Sequence, residues 1–295
     1  MRRVLGKRLH PQRIRRTIGA ASCVRAAPRF VLNELRDQPA GRGYALRGSG
    51  LIAQVRHPLL DMWALEEMFR FHAYRPPERA AAAIAGLGPR PRVLDLGGHV
   101  GYFGLYLRRL APDARVVSFE PDPSNVQRLR RCIQDNALGD RWEVVEACAA
   151  TTDGEVPFLS DYHLSSVASG GRHGNEEMHE RIGAAFPFLR DTALLSSEQR
   201  QVASRDVFPY LEEADFVKMD IEGSEWDILA DARFAEGPAR VIVLEYHPVH
   251  ARVADPEAEV IGRLSGAGYE VGAPDRSDDA GLIWAWRPPA GERVP

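Results

Sequence analysis

Lysine is almost missing from this chain: Lys7 and Lys218 are the only two in 295 residues. With no Gly-Lys-Ser or Gly-Lys-Thr anywhere, a Walker-type phosphate loop is excluded. Cysteine is nearly as scarce. Cys23, Cys132 and Cys148 are odd in number and widely spaced, which argues against a disulfide framework, and no Cys-x-x-Cys is present to hold zinc. There is no apolar run near ~20 residues and no secretory apolar segment, so no membrane span is read and a cytoplasmic location is expected. Acids are absent from the first sixteen residues, where Arg2, Arg3, Lys7, Arg8, Arg13, Arg15 and Arg16 fall. Aromatics are not interleaved with them, so the arm reads as a solvated terminus rather than a nucleic-acid or membrane contact.

The 44% of hydrophobic residues can build a full core, and one main domain is favoured. The expected layout is a basic extension over 1–57, a helical lead-in over 58–90, the main domain over 91–287 and a tail over 288–295. Little periodicity shows before residue 50 apart from a helix near 30–36. A strand is read over 51–55. A helix then starts at Asp61, a good N-cap, and runs to His72, stopped by Pro76-Pro77, and a short helix follows over 78–85. From Pro91 apolar strands alternate with helical patterns, the mark of a parallel sheet built from βαβ units. Strands are read over 93–96, 116–120, 143–147, 216–220, 241–245, 269–271 and 283–286, the last antiparallel. Helices lie over 102–110, 125–136, 225–231 and 257–267, the second capped by Ser124. An extra ribbon is read over 156–159. Residues 160–201 interrupt the alternation and, with Tyr162, His163, His173 and His179, read as a substrate-covering lid.

The stretch Arg92-Val-Leu-Asp-Leu-Gly-Gly-His-Val-Gly-Tyr-Phe-Gly104 puts glycines at the carboxyl end of a strand, where open α/β sheets bind ligands. A dinucleotide fingerprint needs glycine at the first, third and sixth places, yet counting from Gly97 the third is His99 and the sixth Tyr102. Asp95 at the strand tip would repel a pyrophosphate and suits an ammonium and a sulfonium, which implies S-adenosylmethionine. Glu120 lies nineteen residues beyond Gly101, placed to accept both ribose hydroxyls. The third strand ends at Ala147 and Cys148, beside the expected adenine.

The fourth strand reads Phe216-Val-Lys-Met-Asp-Ile-Glu-Gly-Ser-Glu-Trp226 and the fifth ends Leu244-Glu-Tyr-His247. Period-two alternation puts Lys218 and Asp220 on one face. A buried lysine needs a partner, and Asp220 is the expected one. Asp220 and His247 project from strands read as neighbours, and an imidazole titrating near ~6.5 suits a general base better than a carboxylate near ~3.9. The spacing of Asp220, Glu245 and His247 matches no strong ligand motif, so no metal is assigned.

Asp95-Leu-Gly-Gly-His-Val-Gly-Tyr-Phe103, Phe119-Glu-Pro121, Asn136, Gly154-Glu-Val-Pro-Phe158, Ser165-Ser166 and above all Lys218-Met-Asp-Ile-Glu-Gly-Ser-Glu225 closely resemble the FkbM family of S-adenosylmethionine-dependent methyltransferases. The resemblance covers roughly residues 61–246. It implies a class I methyltransferase fold: an α/β, Rossmann-like, seven-stranded, mostly parallel sheet with helices on both faces. It also implies O-methylation of a small molecule such as a secondary metabolite, polyketide or sugar. By this likeness Asp95, Gly97, Gly101 and Glu120 hold the cofactor, with His99, Tyr102, Ala147 and Cys148 around it. Lys218, Asp220, Glu222 and Glu225 border the reaction site, and Asp220, His247, Lys218 and Glu222 are the catalytic candidates. The chain departs from the pattern in carrying Gly98-His99 where the family usually has Ala-Asn, a change in the methionine pocket. Two alternatives stay open: other chemistry in the same pocket, such as cyclisation, and a non-catalytic partner-binding role. The expected partner is the small-molecule acceptor, with no nucleic acid; a homodimer is left open.

Overall fold

Strand β3 (Arg92–Leu96) is short, apolar and preceded by Pro91, and it lies at the centre of the main sheet. The computed structural model describes residues 10–36, 40–58, 61–160, 166–167, 198–248, 251, 253–276 and 280–287. On one side of β3 run β4 (Arg115–Phe119) and β5 (Trp142–Val145); on the other, β10 (Phe216–Met219) and β11 (Val241–Tyr246), all parallel. Then come β14 (Gly281–Trp286), antiparallel to β11 as expected, and β12 (Glu270–Val271), with β13 (Asp275–Arg276) also pairing β14. The order β12-β14-β11-β10-β3-β4-β5 reverses direction between β3 and β10, the switch point at which such sheets receive ligands.

Alternation sorts the strand residues onto two apolar layers. Val93, Phe216, Val241 and Val243 enter one cluster; Leu94, Leu96, Val217, Met219, Ile242 and Leu244 enter the other. Helices cover both faces, among them α4 (Glu78–Ala85), as expected, α5 (Tyr102–Leu107), α6 (Pro123–Asp135), α8 (Glu225–Ala230) and α9 (Pro256–Gly266), with the short α7 (Phe208–Leu211) before α8. The register sets Ser118 opposite Asp95 and Asp95 opposite Lys218, a polar row across three strands of an apolar sheet.

The N-terminal part is far more structured than its weak periodicity suggests. Helices α1 (Pro11–Ser22) and α2 (Ala27–Glu34) and the hairpin β1 (Ala40–Ala45) and β2 (Ile52–His57) bury Ala20, Phe30, Tyr44 and Val55 in the same cluster as Val93 and Phe216. Burial here uses small and aromatic residues plus a polar chain that no period marks. Asn33 donates to the Tyr44 hydroxyl at 2.7 Å, Tyr44 meets His57 Nε2 at 2.9 Å, and His57 Nδ1 meets Glu34 at 2.7 Å. Asn136, after α6, clamps β2 by bonding both the N–H and the carbonyl of Ile52.

Two local expectations are corrected, and one between them holds. Asp61 does not cap the helix that follows it: its fully buried carboxylate accepts from the Arg56 N–H and guanidinium, the stronger charge-assisted partner. That helix, α3 (Met62–Glu66), runs into a π turn over Glu67–Phe71 and ends at His72, as expected, where φ is 54°. Helix α6 is capped by Asp122, which accepts from the N–H groups of Ser124 and Asn125, so Ser124 is not the cap.

The third strand stops at Val145, and Cys148 starts β6 (Cys148–Ala150) in a second sheet. Its order is β6-β9-β7-β8, with β7 (Gly154–Ser160), β8 (Ser166–Val167) and β9 (Glu198–Asp206). The expected ribbon is thus the middle of β7, and the expected lid lies outside the described residues except for β8 and the inner ends of β7 and β9. No helix among the described residues is long and apolar enough to cross a membrane.

Candidate active site

The turn after β3 closes by backbone bonds: the N–H groups of Gly97 and Gly98 both donate to Phe119 O, at 3.1 and 2.8 Å. Gly97 has φ 85°, and a Cβ there would stand 1.9 Å from the carbonyl oxygen of Asp220. Only glycine allows β3 and β10 to approach this closely. His99, at φ 47°, donates its N–H to Glu120 Oε2 at 2.8 Å. Glu120 Oε1 accepts from the Asp122 N–H and the Asn125 side chain. Burial pushes the Glu120 carboxyl up to about 7 despite these bonds, because desolvation of the anion outweighs the donors.

The remaining cofactor candidates divide. Asp95 lies beneath the turn, fully buried; Ser118 donates to its Oδ2 at 2.7 Å and Lys218 Nζ is 3.6 Å from Oδ1. It ties three strands together at the polar row, and burial raises its pKa against the pull of Lys218 and Ser118. Tyr102 is buried with its hydroxyl on Gln54 O at 2.7 Å, facing β2. Ala147 and Cys148 are buried, and the Cys148 thiol is pushed up to about 12 by burial with Glu120 adding, so it is neutral. His99 is held from the N-terminal part: Arg56 Nη2 is 3.2 Å and Asp61 Oδ1 3.8 Å from its Nε2.

Beyond the turn lies an acidic cluster. Lys218 Nζ donates to the carbonyls of Leu96 and Gly97 at 3.1 and 2.6 Å and lies 3.4 Å from Asp220 Oδ2. Burial would discharge it, but Asp220, Asp95 and Glu245 hold it charged. The expected pairing with Asp220 is present, shared with the turn. Asp220 is held below the ordinary carboxylate value: burial alone would raise it, and Lys218, His247 and the Tyr74 hydroxyl reverse that. Tyr74 links the cluster, its hydroxyl lying 3.1 Å from Asp220 Oδ2 and 2.9 Å from Glu245 Oε2. Burial raises Glu222 to about 7 and Glu245 to about 8, with neighbouring acids adding in each case.

His247 sits next to Asp220 across adjacent strands as expected, but in a different electrical role. Its Nδ1 is 2.8 Å from Glu225 Oε1 and its Nε2 3.4 Å from Glu222 Oε2. Burial favours the neutral ring, yet Glu222 and Glu225 prevail and keep its pKa well above the usual imidazole value. The surroundings thus favour the imidazolium over the neutral ring that a general base needs. Asp220, Glu222 and His247 offer ligand atoms all within 4.8 Å of one another.

The sequence reading missed Tyr74, Arg56 and Ser118. Tyr74 and Arg56 act at long range and carry no spacing signal. Ser118 did carry one, being a polar residue inside an apolar strand.

Residues 95–271 match the family model described as the methyltransferase FkbM domain. The chain is 26% identical over 223 residues to methyltransferase sdnD of Sordaria araneosa, covering 70% of this chain and 81% of that one. It is 25% identical over 158 residues to 2-O-methyltransferase NoeI of Sinorhizobium fredii, covering 54% and 64%. Among solved structures it is similar to an O-methyltransferase family protein from Burkholderia thailandensis, at 14% identity and TM-score 0.38, covering 79% and 60%. The family match runs from the buried acid of β3 through the glycine turn, the acidic cluster and β11 to β12, more than half of the sequence, and the chain belongs to the FkbM family of methyltransferases.

Proposed function

We propose that this methyltransferase uses S-adenosylmethionine to methylate a hydroxyl of a small molecule. The observation that carries the reading is the junction of β3, β4 and β10. A glycine turn, a buried acid that accepts the His99 N–H of that turn, and an acid cluster beside Gly97 meet at the switch point of the sheet.

The residues present fit that cofactor. Glu120 Oε2 keeps one acceptor site for a ribose hydroxyl, and the excess of carboxylates over Lys218 and His247 suits a ligand with a sulfonium and an ammonium. When bound, S-adenosylmethionine supplies an electrophilic methyl carbon. The protein's task is then mostly alignment of the acceptor oxygen. Asp220, fixed by Lys218 and Tyr74, is placed to receive the acceptor hydroxyl; His247, as imidazolium, acts as a donor and local counter-charge. The similarity to a 2-O-methyltransferase supports oxygen as the acceptor atom.

Incubation with S-adenosylmethionine and a panel of hydroxylated small molecules, read by mass spectrometry, tests this. S-adenosylhomocysteine together with a product heavier by one methyl is expected. A product formed without methyl gain would support other chemistry in the same pocket.

A further inference from the structure

We propose that Asp220, Glu222 and His247 bind a divalent cation of the Mn²⁺ class, which holds the acceptor hydroxyl. This rests on the methyl-transfer reading above and deepens it.

The first observation is the donor geometry. The three ligand atoms lie within 4.8 Å of one another, and a cation bonded to each at about 2.1 Å would keep them within about 4.2 Å, so closing by about 0.6 Å suffices. The second is the setting of His247, which is only 8% exposed. Its Nδ1 is fixed at 2.8 Å by Glu225, itself fully buried and also bonded by the N–H groups of Gly223 and His247. Its Nε2 makes no hydrogen bond among the described residues and is aimed at Glu222, 3.4 Å away. A ring whose far nitrogen is oriented by a buried carboxylate while the near one faces further donors is the arrangement of a metal-bound histidine.

Asp220 adds a third point. Lys218 and Tyr74 both engage Oδ2, which leaves Oδ1 for a ligand. The side chains of Asp220 and Glu222 are each 27% exposed, so coordination positions remain toward the cleft for water or a hydroxyl oxygen. Two carboxylates and one imidazole lie between the all-oxygen sets of Mg²⁺ and the nitrogen-rich sets of Zn²⁺, which favours Mn²⁺. Binding takes His247 as the neutral ring, with the Nε2 proton released to solvent and Nδ1–H kept on Glu225. Binding the acceptor oxygen lowers the hydroxyl's pKa, so its proton passes to water without a strong base. The oxygen lone pair then forms the O–CH₃ bond while the C–S electron pair leaves on sulfur.

The test is calorimetric titration of the full-length, chelator-treated protein with MnCl₂, MgCl₂ and ZnCl₂ separately, and with S-adenosylhomocysteine in parallel. One Mn²⁺ per chain is expected, with affinity reduced about 10-fold or more in Asp220→Asn, His247→Ala and Glu222→Gln, and about 10- to 100-fold in Glu225→Gln. Glu222→Gln, on the exposed turn, stands in if a buried variant fails to fold. Absence of Mn²⁺ binding, or binding unchanged in the variants, overturns the site. Preference for Mg²⁺ over Mn²⁺ overturns the assigned class; Zn²⁺, which binds most nitrogen and oxygen donor sets more tightly than Mn²⁺, serves as the positive control for an intact site, and its failure to bind also overturns it. Because S-adenosylhomocysteine binding is read separately, loss of the metal proposal leaves the methyl-transfer reading standing, and the reverse is equally visible.

Discussion

Glu120 offers a pH signature that follows directly from its burial. Its carboxyl is raised to about 7 in the free protein because the anion is desolvated. Ribose hydroxyls can donate to the ionised form, so the complex holds Glu120 charged and the free protein must first lose a proton. The ionised fraction is ~0.1 at pH 6 and ~0.9 at pH 8, so the dissociation constant for S-adenosylhomocysteine should fall about 10-fold across that range, some ~1.4 kcal/mol. Stability runs the other way. An acid raised from 4.5 to about 7 contributes stability that is fully present below 4.5 and is lost as pH rises through about 7. The free protein should therefore melt at lower temperature at pH 8 than at pH 5, while the ligand-induced rise in Tm grows. Glu120→Gln should flatten both trends. Calorimetry at half-unit steps from pH 6 to 8 decides it: wild-type affinity that does not change, or a slope that persists in Glu120→Gln, refutes the assignment of Glu120 to the ribose.

Three further outcomes follow from buried contacts. Gly97→Ala meets the Asp220 carbonyl 1.9 Å from its new Cβ at a φ of 85°, so it should cost ~2 kcal/mol or more and abolish S-adenosylhomocysteine binding; a normal melt with retained binding would contradict the packing. Lys218→Met leaves Asp95 and Asp220 without their cation and should lower unfolding free energy in urea by ~3–5 kcal/mol, whereas a change under ~1 kcal/mol would show that the lysine does not hold the turn. Arg56→Met strands the fully buried Asp61 and takes the guanidinium away from His99, so a loss of similar size, ~3–5 kcal/mol, is expected together with weaker cofactor binding; unchanged thermal unfolding would refute the linkage.

What could be read in the sequence was whatever lay on a regular element with a stated cost. The central strands, the glycine turn and Glu120 were legible because period-two alternation and strand-tip position place them without tertiary knowledge. Lys218 was legible because a lysine inside an apolar strand demands an acid, and the structure supplies Asp95 and Asp220. The state of His247 was not, since it depends on Glu222 and Glu225 arriving from the turn and helix after β10. Asp61 looked like a cap, but the Arg56 guanidinium, a stronger partner, reaches it from five residues earlier, at the end of β2. The ordered N-terminal part was hidden because Ala20, Phe30 and Tyr44 are buried by tertiary contact rather than by any repeating pattern.

The claim on which the rest depends is that the turn at β3 receives a sulfur-bearing adenosyl ligand rather than a dinucleotide. Calorimetric titration of the purified protein with S-adenosylhomocysteine and with NAD, which needs no knowledge of the acceptor, tests it most directly. Saturable binding of S-adenosylhomocysteine at one site with no heat from NAD is the predicted result; tight binding of NAD with no response to S-adenosylhomocysteine would contradict the account.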